Sequence, residues 1–197
     1  MSEPSAAGAP GLSGAAAPAT QVVCPGSFDP PTNGHLDVLE RTAQLFPRVT
    51  VAVLVNPDKH GMFAVAERVQ LLRDLLAGHS GVRVDSFSGL LVDYCTAHGI
   101  TAIVKGIRAR SDFDYELQMA QMNSNLAAPA TLATLFLPTS PTHSFISSSL
   151  VKQVAGLGGR VDHLLPPAVA AALAVKLDQL RPGSGEPAPT AGPSLAD

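Results

Sequence analysis

Apolar positions along the chain follow two alternating spacings. Continuous apolar or β-branched runs at Gln21-Val22-Val23, Val49-Thr50-Val51-Ala52-Val53-Leu54-Val55, Val82-Arg83-Val84, Ala102-Ile103-Val104 and 131–137 predict strands. The second run has no polar face to offer to water, which is the mark of a strand buried on both sides. Between the runs, apolar residues recur every three or four positions. Leu36, Leu39, Ala43 and Phe46 follow the first strand, and Val69, Leu72 and Leu76 lie within 66–77. Further helical stretches are read at 90–97, 111–126, 147–155 and 168–180, the last Ala-rich behind Pro166-Pro167. Strands alternating with helices of this length require right-handed crossovers. The expected fold is therefore α/β, with a five-stranded parallel sheet flanked by helices, plus C-terminal helices. In such sheets ligands bind beyond the carboxyl ends of the strands, so the loops there are where chemistry is expected.

The first of these loops reads Cys24-Pro-Gly-Ser-Phe-Asp-Pro-Pro-Thr-Asn-Gly-His35. Its Pro-Gly pair is read as an abrupt end to the strand. Thr32 or Asn33 can cap the helix, Gly34 keeps its first turn open to a close-approaching ligand, and His35 projects from that turn. Unpaired N–H groups and the partial positive charge of a helix start suit phosphate, and an imidazole adds a directional donor. The second loop, 56–61, puts Lys59 just past a buried strand, where it is either a solvated lysine or a cation over a shared cleft. The fourth, Lys105-Gly106-Ile107-Arg108-Ala109-Arg110, is either a solvated basic turn or a polyphosphate clamp whose glycine permits close backbone approach. The last, Thr142 to Leu150, offers Ser147 as a cap and the N–H groups of Ser148 and Ser149 as a second helix-start anion site.

Composition narrows the classes. The 197 residues carry a formal net charge of −3 with no basic stripe, which argues against nucleic acid as the main partner. Cys24 and Cys95 are the only cysteines and have no metal-ligand spacing. No apolar run is long enough to cross a membrane and the N-terminus lacks a secretory pattern, so a soluble cytoplasmic protein is expected. Residues 1–19 and 182–197, rich in Ala, Pro and Gly, read as disordered tails around a domain at 20–181. P-loop, dinucleotide-turn and nucleophile-elbow motifs are absent from the sequence. Cations and helix ends without an activated nucleophile suit transfer to a group that is already ionised, such as a phosphate monoester attacking the α-phosphate of ATP.

The ordered run Thr32-x-Gly34-His35 resembles the signature of the nucleotidylyltransferases, and Gly26 to His35 is similar to its phosphopantetheine adenylyltransferase version. Lys59, the run Lys105-Gly106-Ile107-Arg108 with Asp112-Phe113-Asp114-Tyr115-Glu116, and Ser144 to Lys152 extend the resemblance across the domain. It implies a single Rossmann-like domain that joins ATP to 4′-phosphopantetheine, releasing dephospho-coenzyme A and pyrophosphate. It further implies Mg²⁺ carried by the triphosphate with no protein metal ligand, and a homohexamer. By the same resemblance His35, Lys59 and Arg108 are catalytic, with His35 at the α-phosphate. Ser27, Lys59, Leu91 and Lys105 contact the acceptor. Ser27, Phe28, His35, Gly106, Ile107, Arg108, Glu116, His143, Ser144, Phe145, Ile146, Ser147, Ser148 and Ser149 contact ATP. Three positions depart from the common pattern: Ser27 replaces threonine, Lys105 replaces arginine and loses its planar fork, and His143 stands where Trp or Tyr is frequent. Met119 and Met122 are read as core filler, with a subunit contact as the alternative. The rival functions are a sister nucleotidylyltransferase acting on nicotinamide mononucleotide or a polyol phosphate, and a nucleotide-binding regulatory subunit without catalysis. A class I aminoacyl-tRNA synthetase fragment shares the Gly-His signature, but the chain lacks a Lys-Met-Ser-Lys-Ser-like loop.

Overall fold

A computed structural model of the chain describes residues 21–56, 61–108 and 110–180, without the side chains of 110–112. Lys59 and both Ala/Pro/Gly-rich ends, 1–19 and 182–197, lie outside the described residues. The chain alternates β1 (Gln21–Gly26), α1 (Asn33–Leu45), β2 (Arg48–Leu54), α2 (Val65–Leu75), β3 (Val82–Phe87), α3 (Leu91–Ala97), β4 (Ala102–Ile107), α4 (Arg110–Ala127) and β5 (Ala133–Pro138). Then follow α5 (Ser148–Gly156), a 3-10 turn at Asp162–Leu164 and α6 (Pro167–Leu180). The strands form one parallel sheet in the order β3-β2-β1-β4-β5, a Rossmann-like α/β arrangement. Among the described residues no helix is long and apolar enough to cross a membrane.

Successive side chains of a strand point to opposite faces, and both faces are buried here. Val22 and Cys24 of β1 pack with Val49, Val51 and Val53 of β2 against Leu39 of α1 and Val69 and Leu72 of α2. Val23 and Ala52 face the other way, with Ile103 of β4, onto Val92, Tyr94 and Cys95 of α3. A third cluster is made where α5 and α6 close over Phe63: Ile146, Val151, Ala155, Val161, Leu165, Val169 and Leu173.

The two middle strands decide where the site opens. β1 is paired with β2 from Gln21 to Gly26 but with β4 only at Val22 and Val23. Beyond Val23, β1 and β4 diverge, and strand order reverses at this point, so the crevice expected of an open sheet lies between their carboxyl ends. Pro25, which has no N–H to donate, sits in the part of β1 that β4 has already left.

Several sequence expectations are corrected. The Pro-Gly pair does not end β1, because β2 continues to pair with Pro25 and Gly26. β4 likewise runs to Ile107, so Lys105, Gly106 and Ile107 are strand residues paired with β5 and only Arg108 lies beyond. The missing side chain of Gly106 is not what opens the site: a Cβ there would stand 2.9 Å from Val38 Cγ2, so α1 fills the space that the glycine leaves. Met119 and Met122 are not core filler. Both are exposed, on one stripe of α4 with Tyr115 and Leu126.

Gly106→Ala is expected to lower stability by about 1–3 kcal/mol, the usual range for overpacking a close contact. Urea denaturation measures it, and an unchanged midpoint would mean that α1 and β4 separate freely at this point.

Candidate active site

Thr32 is the N-cap of α1. Its side chain accepts from the His35 N–H at 3.3 Å, while its own N–H donates to His35 Nδ1 at 3.0 Å. This reciprocal pair is a capping box with histidine in the place usual for Glu or Gln. It fixes the tautomer, because an Nδ1 that accepts a backbone N–H leaves the ring proton on Nε2. Burial, with the charge of Arg108 added, lowers the His35 pKa from the usual 6.5 to about 4. The imidazole is thus a neutral Nε2–H donor at neutral pH. The Phe28 ring lies edge-on to it, 5.1 Å between centroids.

The loop that carries Ser27 and Phe28 is held from below. Phe28 is buried with φ +48, a left-handed backbone that costs a non-glycine residue on the order of 1–2 kcal/mol and persists only where its surroundings enforce it. Asp29 enforces it. Its carboxylate accepts from Met62 N–H at 3.1 Å and Phe63 N–H at 2.9 Å, and Lys152 of α5 bonds to it at 2.5 Å. Burial alone would raise the Asp29 pKa, but the lysine and the two amides together hold it below the usual carboxylate range. Arg68 of α2, itself buried, donates to the Ser27 carbonyl at 2.8 Å. Ser148 Oγ donates to the Pro30 carbonyl at 2.7 Å, tying α5 to the same loop.

The predicted residues divide into three groups. His35, Arg108 and the start of α5 come together: Arg108 donates to the Ile146 carbonyl at 3.2 Å, and its charge is felt by His35. The two helix starts keep unpaired amides, since caps take only the N–H of His35 and of Leu150, the latter bonded to Ser147 Oγ at 3.1 Å. Ser27, Ser149 and Phe145 are exposed at this edge. A second group is occupied within the protein. Ser147 and Ser148 spend their hydroxyls on the cap and on Pro30, so only their backbones remain for a ligand. Ile146 is buried in the third cluster and offers backbone alone. Ser144 Oγ bonds to the Pro141 carbonyl at 3.0 Å. Lys105 and Glu116, assigned to opposite substrates, are paired with each other at 3.0 Å. Leu91, the third group, begins α3 and packs against the second cluster, away from His35 in the chain's topology but on the same sheet edge. Lys59 lies outside the described residues.

Gly34 does not stay open to a ligand. A Cβ there would be 3.3 Å from the His143 carbonyl oxygen and 3.7 Å from His143 Cβ, so it is this loop that approaches the helix. The His143 Nδ1 is buried without a partner.

Comparison with known proteins agrees with this architecture. The family model described as cytidylyltransferase-like matches residues 23–154. A phosphopantetheine adenylyltransferase of Streptomyces coelicolor is 57% identical over 157 residues, covering 80% of this chain and 97% of the relative. One from Frankia alni is 54% identical over 153 residues, covering 76% and 93%. The chain belongs to the phosphopantetheine adenylyltransferase family.

Three residues that organise this family member's site escape the motifs. Asp29 lies inside the quoted loop, but the amides it accepts are 33 and 34 positions away. Asp37 accepts from Ser140 N–H at 3.0 Å and Ser140 Oγ at 2.5 Å, which ties the last loop to α1. Arg68 had a visible signal: it precedes Leu72 by four positions and so shares the apolar stripe of α2, an unusual place for a cation.

The His35 shift has a consequence for pH. With its folded pKa below the unfolded value, the neutral ring contributes stability fully present above about pH 6.5 and lost as pH falls toward 4. Ring-carbon NMR of the free protein is expected to show His35 as the Nε2–H tautomer titrating near pH 4. A midpoint near 6.5 would mean that the ring is solvated.

Proposed function

We propose that the crevice between β1 and β4 transfers the adenylyl group of ATP to the phosphate of 4′-phosphopantetheine, giving dephospho-coenzyme A and pyrophosphate, in the cytoplasm. The observation that carries this reading is the neutral Nε2–H imidazole fixed by the Thr32 box at the start of α1, with Arg108 beside it. Attack of one phosphate on another needs in-line positioning and relief of charge at the α-phosphate, with no base, because the nucleophile is already ionised. A neutral imidazole donates to a non-bridging oxygen of the five-coordinate α-phosphorus without having to lose a proton, and Arg108 meets the charge that develops toward pyrophosphate. The unpaired amides at the starts of α1 and α5 hold the remaining phosphate oxygens.

Ser27 and the backbone of Phe28 contact the phosphates. Lys59, Leu91 and Lys105 are assigned to the acceptor. Gly106, Ile107, Glu116 and the stretch from His143 to Ser149 are assigned to ATP, through backbone groups at Ile146, Ser147 and Ser148. Mg²⁺ arrives with ATP and is held mainly by its phosphates. Among the described residues no cluster of His, Cys, Asp or Glu could hold a metal ion, and Asp29, Asp37 and Glu116 are already engaged. The exposed stripe Tyr115, Met119, Met122 and Leu126 on α4 supports self-association, and a homohexamer is the assembly proposed. Sedimentation of the intact chain reads the assembly, and Met122→Glu is expected to shift it toward smaller species.

Pyrophosphate release from Mg·ATP, with 4′-phosphopantetheine and nicotinamide mononucleotide compared side by side, tests the reaction. Release only with phosphopantetheine is expected. His35→Ala is expected to lower turnover by roughly 10²–10³ while leaving ATP affinity largely intact, the scale for loss of one transition-state donor. Release with the mononucleotide instead would move the chain to the sister activity, and release with neither would favour a regulatory binding module.

A further inference from the structure

Arg68 is buried, at 7% exposure, and stands in an unusual electrical position. One terminal nitrogen donates to the Ser27 carbonyl at 2.8 Å, its Nε has no hydrogen-bond partner, and no carboxylate among the described residues pairs with it. Buried arginines are ordinarily compensated by an anion, since an unpaired buried charge is costly. Even the partly exposed Lys152 and Lys105 are paired, with Asp29 and Glu116. Among the described residues Arg68 has no such partner, and it holds the loop that carries Ser27.

The geometry gives that charge a direction. The cis peptide bonds of the described chain are at Asp29-Pro30 and Ala128-Pro129, so the Ser27–Phe28 bond is trans and its N–H points opposite to its C=O. Arg68 holds the C=O toward α2. Helix α2 packs on β2 and β3, on the far side of β1 from β4. The Phe28 N–H therefore points away from Arg68, and no hydrogen bond among the described residues takes it. A cation bonded to a peptide carbonyl also polarises that peptide, making its N–H a stronger donor.

We propose that Arg68 is a positioning residue for phosphoryl recognition: by holding and polarising the Ser27–Phe28 peptide it aims the Phe28 N–H at a phosphate oxygen in the crevice. This rests on the reading that Ser27 and Phe28 contact phosphate. The counter-charge that the described residues do not give Arg68 is then supplied by the substrate itself, transmitted through one peptide unit.

The test uses the full chain with inorganic pyrophosphate as probe. In the wild type, the Phe28 amide proton is expected to move downfield on titration. In Arg68→Met, which keeps length and apolar packing while removing the unpaired charge, the fold is expected to persist, with the Phe28 shift reduced at least severalfold and kcat lowered roughly 10–100-fold at saturating ATP. Arg68→Lys, which keeps the charge, is expected to recover part of both and carries the test if the methionine variant does not fold. A purely structural role would instead lower thermal stability and leave the Phe28 shift and kcat of the folded fraction unchanged in both variants, which would overturn the proposal. If the wild-type Phe28 amide does not respond while pyrophosphate binds elsewhere on the protein, the phosphate reading of Ser27 and Phe28 itself fails, and the proposal with it.

Discussion

The Asp29 carboxylate is where three parts of the chain are made to agree. It belongs to the loop after β1, accepts two amides from the segment that leads into α2, and pairs with Lys152 of α5. None of these segments is adjacent in sequence, and the β1–α1 loop includes a left-handed Phe28 that would relax if unsupported. A buried carboxylate stripped of one partner costs several kcal/mol, so the three segments hold each other at a fixed spacing. Gly61 shows how tight that spacing is, since a Cβ there would stand 3.2 Å from Asp29 Oδ2. The position of Ser27, and of the α5 start relative to the α1 start, follows from this one group.

That fixed spacing matters because the chemistry needs charge in one place without charge overall. The chain has a formal net charge of −3, and Lys105, Lys152 and Arg41 are each neutralised by a carboxylate. Among the described residues, what lies at the crevice is Arg108, a neutral imidazole donor and two helix starts. A site of this kind attracts phosphate through short-range donors and one or two focused cations, and it offers nothing to a long polyanion that would need a continuous basic stripe. Keeping His35 uncharged also avoids repulsion between the imidazole and Arg108, which is part of the reason its pKa falls.

The order of elements was legible because a sheet buried on both faces writes itself as uninterrupted apolar runs, as at Val49–Val55. Strand ends were less so. Pro25-Gly26 and Lys105-Gly106-Ile107 carry loop-like residues, yet remain strand because one neighbour still pairs with them; pairing is a property of the partner strand and cannot be read locally. The site divided in the same way. The placement of His35, Arg108 and Ser147 was visible because it follows from position at a strand end or helix start. Asp29 and Asp37 were not, because what they do is defined by partners 33 and 103 residues away, and Arg68 showed only as a cation on an apolar stripe whose partner is 41 residues away. Gly34 and Gly106 were assigned to ligand approach when each in fact admits a neighbouring segment of the chain, His143 in one case and Val38 in the other. A glycine in the sequence shows only that something comes close.

The contact at Gly34 bears on how the site works. The loop carrying His143 rests on the first turn of α1, and Asp37, one turn further along that helix, grips Ser140 through both its amide and its hydroxyl. Arg41 of the same helix reaches the Pro138 carbonyl at 2.7 Å. Gly34, Asp37 and Arg41, on successive turns of α1, thus meet the segment 138–143, and His35 lies on the same helix. Because helix α1 is rigid, that loop and the His35 ring are set in one frame. The hydrogen bonds that place the loop come from Asp37 and Arg41 and not from the His143 ring, whose Nδ1 has no partner among the described residues. The loop position therefore depends on α1 and not on the size of the ring it carries, and groups fixed by their own helix in this way are preorganised.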